Sequence, residues 1–337
     1  YFTRLKEFVS AAEKRNIVVE LTFFCPFYED IQWKISPMNA SNNINGVGKV
    51  TKDDVYTMDK HGGLLPIQEA MVEKIVSELK GFENIIYEIC NEPYFGGVKM
   101  EWQHHIASLI SETEKKLGVR HLISQNIAND SARIVNPHPD VSVFNFHYAS
   151  PPIAVKQNYH LNKVIGNNET GFRGQQDSTY RKEGWEFILA GGALYNNLDY
   201  SFTANHESGT FVYPEKQPGG GSASLRKQLG YLKKFMDSFD FVRMKPDYTL
   251  IKGGLPKGTR AYVLSEVGKQ YAIYLLHGNQ VNLSLNLPAG AYHVEWMDPV
   301  AGVLQKKERV KHSGGVFKIS SPVYTYDIAL KVVAGKN

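Results

Sequence analysis

The amino-acid sequence predicts an α/β fold with a parallel sheet, followed by an antiparallel β-sandwich. Up to about residue 240, short runs of β-branched and aromatic residues alternate with segments of helical periodicity. This alternation predicts βα units, whose strands form a parallel sheet. After about Lys245 the apolar residues recur at every second position, and Gly-Asn, Pro-Ala-Gly and Gly-Gly turns separate the runs. That second pattern is typical of a sandwich of antiparallel sheets.

Five segments in the first part of the chain have apolar residues at helical spacing. In residues 2–15, for example, Phe2, Leu5 and Phe8 fall on one face. The other predicted helices are 72–79, 102–117, 180–190 and 225–239. The predicted parallel strands are 17–24, 84–92, 121–128, 141–148, 163–169 and 194–202. The predicted strands of the sandwich are 263–265, 271–276, 281–287, 292–297 and 328–333.

The strand at 84–92 ends in the tripeptide Asn91-Glu92-Pro93. Pro93 has no N–H group to donate to a sheet, so it stops the strand. In parallel βα arrays the C-terminal strand ends carry the chemistry. Glu92 is therefore a candidate general acid, and the alternative is a structural carboxylate that pairs with an arginine.

A second carboxylate ends the strand at 163–169. Glu169 follows an apolar and then polar run, and a turn at Gly171 comes next. The chain between Glu92 and Glu169 is long enough for two to three further βα units. Two glutamates at the mouths of two strands are what glycoside hydrolysis needs, one as acid/base and one as nucleophile. The alternative for Glu169 is a carboxylate that caps a loop.

This order of motifs resembles clan A of the retaining glycoside hydrolases. The resemblance rests on the strand with Asn91-Glu92-Pro93, a strand ending in Phe146-His147-Tyr148 and a strand ending in Glu169. It covers roughly residues 1–240 and implies a (β/α)8 TIM barrel, with the acid/base after strand four and the nucleophile after strand seven. The segment 285–296 resembles the accessory sandwich that follows the barrel in many bacterial members of the clan.

The resemblance also implies roles for residues near the two glutamates. Asn91 is expected to contact the sugar 2-hydroxyl, the alternative being a turn residue bonded to its own backbone. In the clan a tyrosine near the end of strand six often bonds the nucleophile, and His147 and Tyr148 stand there. Because adjacent strand residues point to opposite faces, only one of the two is expected to reach Glu169 without a bulge. Phe202 stands where many members have a tryptophan under the central subsite.

A long polar loop from Cys25 to about Gly63 carries several aromatic residues. Loops of this length are uncommon in compact domains unless they are functional. Trp33 and its aromatic neighbours could line sugar subsites, or they could pin the loop to the barrel. The sequence leaves both interpretations open.

The composition excludes several other functions. The net charge of +4 is small and the basic residues are not clustered, so we predict no nucleic-acid partner. The sequence has no apolar run of 18 residues, so we predict no membrane span. Adjacent His104 and His105 cannot face one ion, and no glycine-rich phosphate loop follows a strand, so we predict no metal and no cofactor. Cys25 and Cys90 are too few for a disulfide framework and are expected to be reduced core thiols.

Counting strands predicts an incomplete barrel. If Glu92 ends strand four, two strands lie before Tyr1, and the helical pattern at the start also suggests that the true N-terminus is missing. We therefore expect residues 1–244 to form a barrel without its first strands, and residues 245–337 to form the accessory sandwich. A glycan on the sequon at Asn168 would sit beside the nucleophile, which favours a bacterial source. We expect a secreted, periplasmic or cell-surface protein.

The sequence thus predicts a retaining β-glycosidase that cleaves a β-linked oligo- or polysaccharide by double displacement. Two other functions remain open. The first is a carbohydrate-binding barrel whose carboxylates bond hydroxyl groups without catalysis. The second is a different barrel enzyme that uses Glu92 as a base on a small substrate. The sugar, the linkage and the oligomeric state are not specified by these motifs.

Overall fold

The computed structural model describes residues 1–212 and 219–335 of the protein. Within these ranges the helices are α1 (Phe2–Glu13), α2 (Asp30–Ile35), α3 (Leu65–Leu79), α4 (Met100–Leu117), α5 (Ile153–Asn158), α6 (Asp177–Leu189) and α7 (Ala223–Asp237). The first six strands are β1 (Val19–Phe24), β2 (Ile85–Cys90), β3 (Leu122–Asn129), β4 (Val143–His147), β5 (Val164–Glu169) and β6 (Leu194–Tyr195). The later strands are β7 (Lys245–Pro246), β8 (Ile251–Gly253), β9 (Arg260–Glu266), β10 (Gln270–Leu276), β11 (Asn282–Leu287), β12 (Gly290–Met297), β13 (Leu304–His312), β14 (Gly315–Ser320) and β15 (Asp327–Ala334). Among the residues so described, every helix is too short or too polar to cross a membrane.

Strands β1 to β6 form one parallel sheet in the order of the chain. The prediction of six parallel strands with intervening helices is thereby confirmed, and closure of an eight-stranded barrel stays a prediction. The last strand is shorter than the predicted 194–202. It ends at Tyr195, although the backbone N–H groups of Asn196 and Leu198 still donate to the Asn167 and Thr170 carbonyls, both at 2.9 Å.

The chain divides into two compact units. The first consists of Tyr1–Phe146 with Leu161–Val164, and the second of His147–His160 with Ile165–Asn337. The predicted domain boundary between residues 244 and 245 stays a prediction.

In the first unit, β2 is buried along its whole length. Its burial is continuous rather than alternating, as expected for a strand of a parallel sheet that is covered on both faces, and Glu88 is the one charged residue in it. Beside it, the Trp102 ring packs against Phe24 and Tyr56 at centroid distances of 5.0 and 4.9 Å. The Trp102 indole N–H donates to the Gln68 side chain at 2.9 Å, so this buried donor is satisfied.

The long loop after β1 is ordered by side-chain amides rather than by strand pairing. The Asn43 amide nitrogen donates to the carbonyls of Asn39 and Val47 at 2.8 and 3.0 Å. The Asn42 amide donates to the carbonyls of Lys34 and Ser36 at 2.7 and 2.9 Å. These bonds occupy backbone acceptors that no neighbouring strand reaches.

The second unit contains the sandwich that the sequence predicts. One sheet has six strands in the order β13-β12-β15-β10-β9-β7, and the other has three in the order β14-β11-β8. In the part of the chain that the structure describes, neighbouring strands within both sheets pair antiparallel. The sequence pattern missed β7, β8, β13 and β14. β13 was hard to recognise because it is rich in charged residues, and Val310 is the one apolar side chain at its half-buried positions. Charged side chains on an edge strand discourage pairing with other chains.

Strand β10 is buried on both faces and is the centre of this unit. Tyr271, Ile273 and Leu275 belong to the core between the two sheets. On the opposite face, Ala272 and Tyr274 pack with residues of α6 and α7. The Trp185 ring of α6 stacks on Tyr274 at 5.2 Å. The helices therefore cover the outer face of the six-stranded sheet.

A buried ion pair joins α6 to this sheet. The Arg181 guanidinium donates to both carboxylate oxygens of Asp327, at 3.1 and 3.0 Å. The Tyr274 hydroxyl donates to the same carboxylate at 2.9 Å, and the Gln228 side chain of α7 accepts a third Arg181 bond. Both charged side chains are almost fully buried. A buried pair with this many bonds is costly to break, because one charge would remain unpaired.

We expect Asp327→Asn to lower the free energy of unfolding by about 3–5 kcal/mol, because it leaves the Arg181 charge buried without its anion. The measurement is urea unfolding. The matched control is Asp237→Asn, which breaks the exposed Lys233–Asp237 pair on α7 and should cost less than about 0.5 kcal/mol. Equal effects of the two substitutions would contradict the prediction.

His121 forms a second buried ion pair, in the first unit. Its Nε2 atom lies 2.6 Å from the Phe82 carbonyl oxygen, and its Nδ1 atom contacts the Glu114 carboxylate. Both ring nitrogens face acceptors, so the ring is best satisfied when both carry protons. The Glu114 hydrogen bond raises the pKa of His121, burial opposes this, and the Phe82 carbonyl adds to the rise.

The stability that this pair contributes should depend on pH. A raised folded-state pKa means that the contribution is complete below the unfolded pKa of about 6.5 and is lost as pH rises through the folded value. The difference in unfolding free energy between the parent and His121→Gln should therefore be largest at about pH 5.5 and should shrink as the pH rises above about 6.5. The exposed His160 supplies the control as His160→Gln, which should show no such trend. A difference that stays constant with pH would rule out the ionised pair.

Candidate active site

The chain leaves β2 through Asn91 and Glu92, as the sequence predicts. Glu92 has a left-handed backbone, with φ of 40°. Its side-chain direction therefore does not follow the alternation of side chains along β2. The Tyr28 hydroxyl donates to Glu92 Oε2 at 2.8 Å. The Tyr94 hydroxyl lies 3.4 Å from Oε1. We call Tyr28, Asn91, Glu92, Tyr94 and Asn129 the Glu92 cluster.

Tyr28 connects two of the predicted residues. Its hydroxyl accepts a bond from the Asn91 amide at 3.0 Å and donates onward to Glu92, which gives a chain of two bonds. The Cys25 thiol also lies 3.5 Å from this hydroxyl. Burial, followed by the bonds to Cys25 and Glu92, raises the pKa of Tyr28 well above its ordinary value. The phenol therefore keeps its proton and remains a donor to Glu92.

Tyr94 and Asn129 were not identified from the sequence as site residues. The Tyr94 hydroxyl is 2.5 Å from the Asn129 side-chain oxygen and so donates mainly there. Asn129 is the last residue of β3, and Tyr94 follows Pro93 directly. The feature of the sequence that could have identified them as site residues is their position at or just after the end of a strand. Tyr28 was visible only as one aromatic residue of the long loop.

In the second unit, Glu169 ends β5 and accepts bonds from the end of β4. The Tyr148 hydroxyl makes a short hydrogen bond to Glu169 Oε1. His147 Nδ1 lies 3.6 Å from Glu169 Oε2. The Tyr148 backbone N–H donates to the Glu169 carbonyl at 2.7 Å. We call His147, Tyr148 and Glu169 the Glu169 cluster.

The expectation that only one of His147 and Tyr148 could approach Glu169 is wrong. It assumed extended backbone through both residues, but β4 ends at His147 and Tyr148 has φ of 55°. The left-handed residue breaks the alternation of side chains, so both reach the carboxylate. His147 is fully buried, whereas Glu169 is partly open to solvent. An imidazole nitrogen and a carboxylate oxygen are both ligands that zinc accepts, so His147 and Glu169 can offer two donors to a metal ion.

The other predicted site residues lie in different surroundings. Trp33 is only 8% exposed, and its indole N–H donates to the Val50 carbonyl at 3.0 Å. It therefore pins the loop, which is the structural alternative, and has little surface to offer a sugar. Phe202 is 50% exposed, with the Arg226 guanidinium carbon 4.7 Å from its ring centroid. Its role under a sugar subsite stays a prediction.

No protein-family model matches the chain, and no curated protein sequence matches it. Solved structures do. A structure described as a glycoside hydrolase aligns with 99% of this chain and 89% of its own, at a TM-score of 0.65 and 16% identity. The chain shares its fold with glycoside hydrolases.

Two further structures with this glycoside hydrolase fold are described by family. A glycoside hydrolase family 5 protein from Bacteroides vulgatus ATCC 8482 aligns with 99% of this chain and 74% of its own, at a TM-score of 0.66 and 15% identity. The catalytic domain of GH30 xylanase C from Talaromyces cellulolyticus aligns over 88% and 73%, at a TM-score of 0.50 and 10% identity. At the level of fold, these likenesses agree with the resemblance to clan A.

The two cysteines differ in a way that the sequence did not predict. Both are free, but Cys25 is exposed beside Tyr28, whereas Cys90 is buried and burial raises its thiol pKa. The expectation of two core thiols is therefore wrong for Cys25, because the strand ends at Phe24 and releases the next residue.

We expect one thiol of the native protein to react rapidly with Ellman's reagent, since the thiolate is the reactive form and must be accessible. The second should react only after unfolding. Cys25→Ser should remove the rapid phase, and Cys90→Ser should leave it. Equal rates for both thiols would contradict the geometry.

Proposed function

We propose that this protein is a retaining β-glycoside hydrolase that cleaves a β-linked oligo- or polysaccharide by double displacement. The observation that carries the proposal is the Glu169 cluster, in which a strand-end carboxylate is held by a phenol and a buried imidazole. The fold shared with glycoside hydrolases adds support. A bacterial, secreted location would suit such a substrate and is part of the proposal.

In the proposed reaction Glu169 is the nucleophile and Glu92 the acid/base. Glu169 attacks the anomeric carbon while Glu92 gives its proton to the leaving oxygen, so the glycosidic C–O bond breaks and a glycosyl ester forms. Water then attacks the same carbon as Glu92 takes its proton, and the bond to Glu169 breaks. Two inversions at one carbon give net retention of configuration.

The proposal requires the two carboxyl groups to lie about 5 Å apart on opposite sides of one bond. β2 and β5, which precede these glutamates, are strands of the same parallel sheet. The carboxyl ends of such strands lie at one edge, where barrel enzymes build their sites. This topology supports the assignment of the two residues to one reaction.

Neighbouring side chains have defined tasks in this proposal. Tyr148 donates to Glu169 and holds its carboxylate in a fixed position for attack on the anomeric carbon. Tyr28 fixes the direction of Glu92 and links it to Asn91. We propose that Asn91, His147, Tyr148 and Phe202 contact the sugar, and we leave Trp33 out because it is buried.

We expect Glu169→Ala to lower kcat for an aryl β-glycoside by at least about 10³-fold, because no covalent intermediate can form. Glu92→Gln should lower kcat/KM by about 10²–10⁴-fold for substrates with poor leaving groups, since these need protonation. The effect should be smaller for an activated aryl leaving group. Exposed Glu73 supplies the control as Glu73→Gln, which should retain parental activity.

The stereochemical course tests the mechanism separately. Proton NMR during turnover should show the β-anomer of the sugar first, before mutarotation. First release of the α-anomer would exclude double displacement. Near-parental turnover by Glu169→Ala would contradict the assignment of Glu169 as the nucleophile. Glycan binding without any product would favour a non-catalytic carbohydrate-binding protein.

A further inference from the structure

Phe172 is an exposed aromatic residue that the proposed mechanism does not use. It lies three positions after Glu169, and 64% of it is open to solvent. Its backbone φ is 59°, in the left-handed region that residues with a Cβ atom rarely adopt. Packing does not explain why a large apolar side chain on a strained backbone is exposed to solvent. Strained backbone of this kind is concentrated at ligand-binding positions.

Contacts with helix α6 hold this strained backbone in place. The Arg173 guanidinium donates to the buried Glu183 carboxylate at 2.7 Å. The Arg173 backbone N–H donates to the Tyr180 hydroxyl at 3.3 Å, and that hydroxyl donates to the Gly174 carbonyl at 2.7 Å. Tyr180 and Glu183 both belong to α6 and are buried. The two residues that follow Phe172 are thus fixed on a helix, while its ring is left uncovered.

The ring also stands in a defined relation to the Glu169 cluster. It meets the Tyr148 ring edge to face, with a centroid distance of 5.8 Å and an interplanar angle of 68°. The hydroxyl of Tyr148 in turn bonds Glu169. Phe172 is therefore one ring removed from the proposed nucleophile.

We propose that Phe172 is a stacking platform for a second sugar ring, adjacent to the one attacked by Glu169, and that it makes the site selective for oligosaccharides over simple glycosides. The inference rests on the proposed function. The ring offers an apolar face to the C–H face of a pyranose, which suits sugars whose hydroxyls are equatorial, such as gluco- and xylo-configured units. Because α6 already fixes the backbone after Phe172, less conformational entropy is lost when a sugar binds.

The test uses the full chain with Glu169→Gln, which should bind without turnover. Calorimetry measures its affinity for β-1,4-linked glucohexaose, β-1,4-linked xylohexaose and β-1,3-linked glucohexaose. We expect at least one hexasaccharide to bind and Phe172→Ala to weaken that binding about 10-fold or more. Phe172→Tyr keeps the ring and should restore most of the affinity.

Phe172→Gly separates binding from folding. Glycine adopts φ of 59° without strain, so this variant should keep or raise the melting temperature while losing affinity as Phe172→Ala does. The control is Tyr248→Ala, which removes another exposed ring, 71% open to solvent and outside both clusters, and should bind as the parent does. In the active background, kcat/KM of Phe172→Ala should fall for the hexasaccharide but change less than about threefold for an aryl monoglycoside.

The inference is overturned if no hexasaccharide binds, if Phe172→Ala binds as the parent does, or if both substrate types lose kcat/KM equally. These outcomes differ from failure of the proposed function. That failure would appear as parental turnover by Glu169→Ala, whatever the behaviour of Phe172.

Discussion

The arrangement at both glutamates depends on strands that end in a left-handed residue. Glu92 follows β2 with φ of 40°, and Tyr148 follows β4 with φ of 55°. Extended backbone would have sent His147 and Tyr148 to opposite faces of the sheet. The left-handed residue brings both to Glu169. Because an L-residue adopts this conformation at a cost of about 1–2 kcal/mol, contacts around each strand end must hold it in place.

In the second unit, helix α6 supplies much of that support. Tyr180 fixes the backbone of the loop after Glu169, and Glu183 binds the Arg173 side chain of the same loop. Between them, Arg181 is anchored on Asp327 in the six-stranded sheet. One helical turn therefore ties the loop to the sandwich. The sandwich therefore stabilises the position of the loop, and this role does not require it to bind carbohydrate.

The periodic elements were predictable because burial imposes a period of two on half-buried strands and of 3.6 on helices. This was enough for the order of the strands in the first sheet and for the placement of Glu92 and Glu169 at strand ends. It was not enough for β13, because most of its residues are charged and the sequence therefore shows no alternation of apolar side chains there. Nor could a pattern show a left-handed tyrosine, or that the hydroxyl of Tyr28 would meet a carboxylate far along the chain. Such contacts depend on tertiary packing rather than on local sequence.

The loop that carries Tyr28 is held together by asparagine amides. The Asn43 amide nitrogen donates to two carbonyls, and these have no strand partner that could replace it. Deamidation to aspartate would exchange a donor for a negatively charged acceptor facing those same oxygens. A single hydrolytic event, of the kind that accumulates during storage, would thus turn attraction into repulsion within the loop. Chemical ageing at this amide would therefore loosen the loop around residues 39–47 while the hydrophobic cores stay intact.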